Sequence, residues 1–169
     1  MFLFAGSLWL YAGKLAREFK PDIVISSSTY PLDSYAAFRI AHKSKGKYIH
    51  EAHDVWPITL MELGGMNKHH PFVAILDRAE KYAYRKCEKV VSILPNVLPH
   101  MQEQGLQSEK KYAYIPNGIV SEDWLDAKEL GKEHKNLFTQ LHQEGRFVVE
   151  YLGGHALSNA LDQLIDAAK

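Results

Sequence analysis

Short apolar runs alternate along this chain with longer stretches in which apolar side chains recur at helical spacing. DIVISSS (22–28), KYIHEAH (47–53), KVVSIL (89–94), KYAYIP (111–116) and RFVVEYLGG (146–154) read as five strands. Between the first two, SYAAFRIAHKSKG reads as a helix with Asp33 and Ser34 at its start and Gly46 as its closing residue. HPFVAILDRAEKYAYRKCEK sets Phe72, Leu76, Ala79 and Ala83 on one stripe, with Arg78, Lys81 and Arg85 off it. NVLPHMQEQG predicts a short helix closed by Gly105, and ALSNALDQLIDAAK a final one with Leu157, Leu161, Leu164 and Ile165 on one side. VSEDWLDAKELGKEHKN is charged and weakly patterned, as a surface linker is. Strands alternating with helices predict the α/β class: a Rossmann-like parallel sheet with helices on both faces.

The opening run MFLFAGSLWLYAG is apolar almost all round. At thirteen residues it falls short of the roughly twenty that span a bilayer, so it reads as a buried helix. The competing reading is a helix dipping into a membrane face, with Trp9 and Tyr11 at the headgroups and Lys14, Arg17 and Lys20 following.

Composition narrows the field without choosing a function. The 169 residues, 46% hydrophobic and 24% charged, suit a folded chain with a core of its own. Twenty basic and twenty acidic residues cancel, which gives no ground for nucleic acid as a partner. The one cysteine, Cys87, cannot form an internal disulfide or build a sulfur-rich zinc site, and a reducing, cytoplasmic setting is the expectation.

In open parallel sheets, ligands bind beyond the carboxyl ends of the strands. Those ends are SSSTYP (26–31), HDVWP (53–57), LPN (94–96), PNGI (116–119) and GGHALS (153–158). HEAHD invites a metal reading, but its histidines are three apart on a strand, so His50 and His53 point to opposite faces. No metal and no cofactor is therefore expected. The adjacent His69 and His70, before a proline, read as a solvated helix start. His53 and Asp54 end the strand and form a candidate cleft-facing pair, an imidazole that can exchange hydrogen bonds with a sugar hydroxyl beside a carboxylate that can fix its tautomer. A histidine that closes its strand by bonding backbone remains the alternative. Gly153 and Gly154 would let backbone approach a ligand closely, although a plain tight strand-to-helix turn is the more frequent meaning of such a pair.

PDIVISSSTYPLD, EAHDVWPITLMELGGM, AEKYAYRKCEKVVSILP, YIPNGI followed by a tryptophan, and YLGGHALSNALDQLIDAAK resemble, in that order, segments of bacterial family 4 glycosyltransferases, closest to those that build surface polysaccharides such as O-antigen or capsule. The resemblance implies a GT-B architecture, two Rossmann-like domains across a cleft, and retaining transfer from a nucleotide-sugar donor without an obligatory metal. It implies that His53 contacts the transferred sugar with Asp54 orienting it, that Thr29, Tyr30, Asn117 and Gly118 line the acceptor side, and that Gly153, Gly154 and His155 lie near the donor diphosphate. The implied partners are a nucleotide-sugar donor and a lipid-linked or oligosaccharide acceptor, with peripheral contact at the inner membrane face. By this alignment residues 1–119 are the latter part of the acceptor-side domain, 120–145 a linker, and 146–169 the first β-α unit of the donor-side domain. The family's paired glutamates have no counterpart here, so the isolated chain is expected to transfer no sugar. Two alternatives stand beside this: a non-catalytic acceptor-side module completed by another chain, and a sugar-nucleotide epimerase of similar fold.

Overall fold

The computed structural model describes residues 2–27, 30–125, 129–156 and 159–168. They divide into two compact units, Met1–Asn117 and Gly118–Lys169.

The first unit runs α1 (Phe2–Phe19), β1 (Ile23–Ser27), α2 (Ser34–Ser44), β2 (Lys47–Ala52), α3 (Ile58–Glu62), α4 (Pro71–Lys86), β3 (Lys89–Ser92), α5 (Leu98–Glu103) and β4 (Tyr112–Tyr114). Its four strands are parallel in the order β1-β2-β3-β4, as the alternating pattern predicts for the α/β class. Each strand joins its neighbour in sequence, so right-handed crossovers carry α2, α4 and α5 over one face of the sheet. There Ala37 and Ala41 of α2, Tyr84 of α4 and Met101 of α5 close on Tyr48, Ala52 and Val90 in one core. On the opposite face Ile23 and Ile25 of β1 are more than half exposed.

Glycine serves at Gly46 for a reason other than helix closure. α2 is terminated by Lys45, which takes the left-handed conformation at φ 62°. A side chain on Gly46 would run into the backbone carbonyls of Pro21 and Asp22, so glycine there lets α2 turn closely past the entry to β1. His69 and His70 do precede a helix: His70 caps α4, its Nδ1 accepting from the Phe72 amide at 3.1 Å. Cys87 is buried, and burial pushes its thiol up to about 11, which keeps it protonated.

The expectation of a buried first helix is not met. α1 buries Ala12 and Ala16 and packs chiefly on α2, leaving Leu3 at 89% and Leu10 at 73% exposure with Phe2, Phe4, Trp9 and Tyr11 also open. A helix apolar all round has more surface to cover than one neighbouring helix supplies. No described helix is long and apolar enough to cross a membrane.

The second unit departs furthest from the sequence reading. The charged stretch read as linker holds α6 (Ser121–Leu125) and α7 (Lys132–Gln143). Residues 146–154 form no strand, and the last helix, α8, spans only Leu161–Ala167. A strand persists when a neighbour takes up its backbone N–H and C=O groups, and no ladder involves this segment among the described residues. None of the unit's described residues is buried.

Candidate functional site

The carboxyl ends of β1 and β2 gather polar side chains on both faces of the sheet, and the pleat sorts them. In the register of β1 with β2, Ser27 lies opposite Glu51 and Ser26 opposite His50. Ser27, Glu51 and, two positions on, His53 therefore share the open face, while Ser26, Tyr48 and His50 face the helices. Ser27 Oγ is 3.0 Å from His53 Nε2, and Glu51 Oε2 lies 3.7 Å from the same nitrogen. Hydroxyl and carboxylate thus converge on one ring nitrogen. A hydrolytic relay needs them on opposite nitrogens, so this is not a nucleophile-base-acid chain. His53 is held by a side chain across the sheet rather than by closing its own strand through backbone bonds.

Beneath lies a drier layer. Ser26 Oγ bonds His50 Nδ1 at 2.9 Å and the Tyr48 hydroxyl at 2.8 Å. Burial, aided by electrostatic repulsion from the nearby His53, pushes His50 down to about 4, so the His50 imidazole is neutral at ordinary pH. Burial likewise raises Tyr48. Next to His50, Tyr84 donates to Glu80 Oε1 at 3.1 Å and His100 Nε2 sits 2.9 Å from the same oxygen. Glu80 is 2% exposed, and its burial raises the carboxyl pKa against the lowering effect of His100. Glu80 Oε2 and the indole N–H of Trp56 are buried without a hydrogen-bond partner, and their residues line one cavity of about 10 Å³ with Asp54 at its rim. That is room for a single water, which two orphaned polar groups would hold.

The predicted residues distribute as follows. Thr29 lies outside the described residues. Tyr30 packs its ring on Trp56, centroids 5.1 Å apart, beyond β1. Asp54 is exposed and makes no bond to His53; the carboxylate beside that imidazole is Glu51. The reason is the pleat again, since residues two apart share a face and neighbours do not. Asn117 ends the first unit and Gly118 opens the second, both exposed. In the second unit Gly153, Gly154 and His155 form an exposed turn whose Gly154 carbonyl accepts from the Tyr151 hydroxyl at 3.1 Å and from the Asn159 amide. The next described helix begins at Leu161, so its N-terminus is not at the glycines. No described group of three His, Cys, Asp or Glu is placed to hold a metal ion.

Glu51, Glu80 and His100 were not among the residues singled out from sequence. Glu51 was within reach, being two positions from His53 on a strand. Glu80 left a fainter signal, a carboxylate on the apolar stripe of α4. Its pairing with His100, twenty residues on, left none.

A four-stranded parallel sheet with helices packed on it defines an α/β protein of Rossmann-like fold, the class in which ligands bind beyond the carboxyl ends of the strands. The chain belongs to glycosyltransferase family 4, whose family model, Glycosyltransferase Family 4, matches residues 1–123. No curated protein and no solved structure matches it. Family membership makes sugar transfer, between a donor and an acceptor, the general class of activity.

Proposed function

We propose that this chain serves retaining sugar transfer from a nucleotide-sugar donor to a lipid-linked or oligosaccharide acceptor in the building of a surface polysaccharide. The observation that carries the reading is the family match over residues 1–123. His53, at the carboxyl end of β2 with Ser27 and Glu51 fixing one ring nitrogen, supports it. On this reading residues 1–119 supply the acceptor side, with Tyr30, Asn117 and Gly118 lining it and Asp54 at its rim. Gly153, Gly154 and His155 approach the donor diphosphate.

Departure of a nucleotide diphosphate leaves negative charge that fixed donors must stabilise. Among the described residues the α-helix that follows the Gly153 turn begins only at Leu161, so it brings no N-terminus to the glycines. The chain alone is therefore expected to bind an acceptor and leave the donor intact. Titrating the purified chain with oligosaccharide and lipid-linked acceptors, read by amide resonances, should move Ser27, Glu51 and His53, and His53→Ala should weaken the response several-fold. Silence with every acceptor would remove the reading. Turnover of a nucleotide sugar above a His53→Ala control would show instead that the chain is self-sufficient.

Peripheral membrane contact belongs to the same proposal. Its support is α1, which leaves Phe2, Leu3, Phe4, Trp9, Leu10 and Tyr11 exposed. Sedimentation with anionic vesicles checks it, and Leu10→Lys should reduce the bound fraction.

A further inference from the structure

Parallel sheets are ordinarily covered on both faces. In the first unit one face has its helices: Tyr48, Ala52 and Val90 share a core with residues of α2, α4 and α5. Ile23, Ile25, Ile49, Val91 and Ala113 point the other way in the strand registers, and they belong to neither hydrophobic cluster of the described residues. Ile23 and Ile25 are more than half exposed, and Ile49, Val91 and Ala113 keep part of their surface open. Apolar surface spread over four adjacent strands marks an interaction face.

The charged residues on that face indicate what it fits. On β2, Lys47 lies two positions before Ile49 and Glu51 two positions after it, so one face presents a cation, an apolar side chain and a carboxylate in a row. Lys47 stands 3.9 Å from Glu88, a loose and exposed pair that it can leave. Lys89, the other cation of the face, is turned aside to the Lys110 carbonyl at 2.6 Å. A two-fold axis between two such faces, level with Ile49 and perpendicular to the strands, reverses the row. Ile49 then meets Ile49, Ile25 meets Ile25, and Lys47 meets Glu51 twice. An axis along the strands would instead set Lys47 on Lys47 and Glu51 on Glu51. A surface that is its own complement is what an isologous dimer requires, and a foreign partner would require no such symmetry.

We propose that two copies of this chain associate through the open faces of their sheets, strands antiparallel across the interface, with Ile25 and Ile49 at its centre and Lys47 of each copy against Glu51 of the other. The second copy thereby brings an ammonium group to the cluster of Ser27, Glu51 and His53. A face four short strands wide is small for a stable interface, so the dimer forms in the micromolar range. The proposal does not rest on the transferase reading.

Sedimentation velocity of the full chain from about 5 μM to about 500 μM should show monomer giving way to a dimer and to nothing larger. Ile25→Glu, which sets two carboxylates face to face in the apolar centre, should leave monomer throughout, while Leu10→Lys on α1 should leave the dimer unchanged. Lys47→Glu and Glu51→Lys should each weaken self-association about ten-fold, since each replaces two attractive pairs by two repulsive ones. Mixed in equal amounts, those two variants should associate about as tightly as the unaltered chain, because every pair across the interface is then opposite in sign. The same mixture shows that both variants are folded. Monomer at every concentration, a dimer that survives Ile25→Glu or is lost with Leu10→Lys, or a mixture no tighter than either variant alone would each overturn the assignment. Because neither donor nor acceptor is present, failure of the transferase reading leaves this result intact, and the reverse also holds.

Discussion

Leu76 and Phe147 both belong to apolar runs that read as structured elements, yet Leu76 is fully buried and Phe147 is 93% exposed. The first unit turns its pattern into a core because four strands lie side by side and helices return across them. The second carries comparable runs that join no strand ladder among the described residues, and none of its described residues is buried. A hydrophobic pattern is an offer of surface, and structure follows only where another element accepts it.

The contrast is sharpest under truncation. Leu76→Ala should destabilise the first unit by about 2–5 kcal/mol, a transfer loss plus a cavity, whereas Phe147→Ala should stay within about 0.5 kcal/mol. Urea unfolding measures both, and a comparable cost at Phe147 would mean that the second unit has a core after all.

A second difference is electrostatic and confined to the first unit. His50 is held down to about 4 by burial, so the stability it contributes is present above its unfolded value near 6.5 and is lost as pH falls through 4. Asp33, raised to about 6 chiefly by its own burial, runs oppositely: its contribution is present below 3.8 and is lost as pH rises through 6. Between about pH 4 and 6 the two slopes oppose. Asp33→Asn should steepen the loss of stability on acidification, and His50→Asn should flatten it, by up to about 1.4 kcal/mol per pH unit for the more deeply buried histidine. Urea midpoints at pH 4, 5, 6 and 7 decide the matter; parallel profiles for all three proteins would contradict it.

Of comparable size is Gly46→Ala, which forces a methyl against the Pro21 and Asp22 carbonyls and should cost about 1–3 kcal/mol in thermal unfolding. Gly154→Ala, at a glycine whose added Cβ would meet nothing within 4 Å, should have little effect. The least change in stability is expected on α1, where Leu10→Lys should remain within about 0.5 kcal/mol while lowering vesicle binding.

What the sequence made legible follows the same division. β1 to β4 and the helices α2, α4 and α5 fall within a few residues of their predicted places, because each pattern there meets a partner. The strand at 146–154 and the burial of α1 were misread because periodicity says which surface is apolar and not whether anything covers it. At the candidate site, alternation along β2 correctly separated His50 from His53. The same alternation, carried one step further, assigns Glu51 rather than Asp54 to the His53 ring. Glu80 and His100 meet only through the packing of α4 against α5, a distance in sequence that no local pattern encodes.

The order β1-β2-β3-β4 carries a consequence for how the protein is made. Among the described strands β2, β3 and β4 each pair with the one synthesised before it, so each of these βα units emerging from the ribosome finds its template already in place. Assembly of these four strands can proceed in the direction of synthesis, with Tyr112–Tyr114 the last of the four to be laid down.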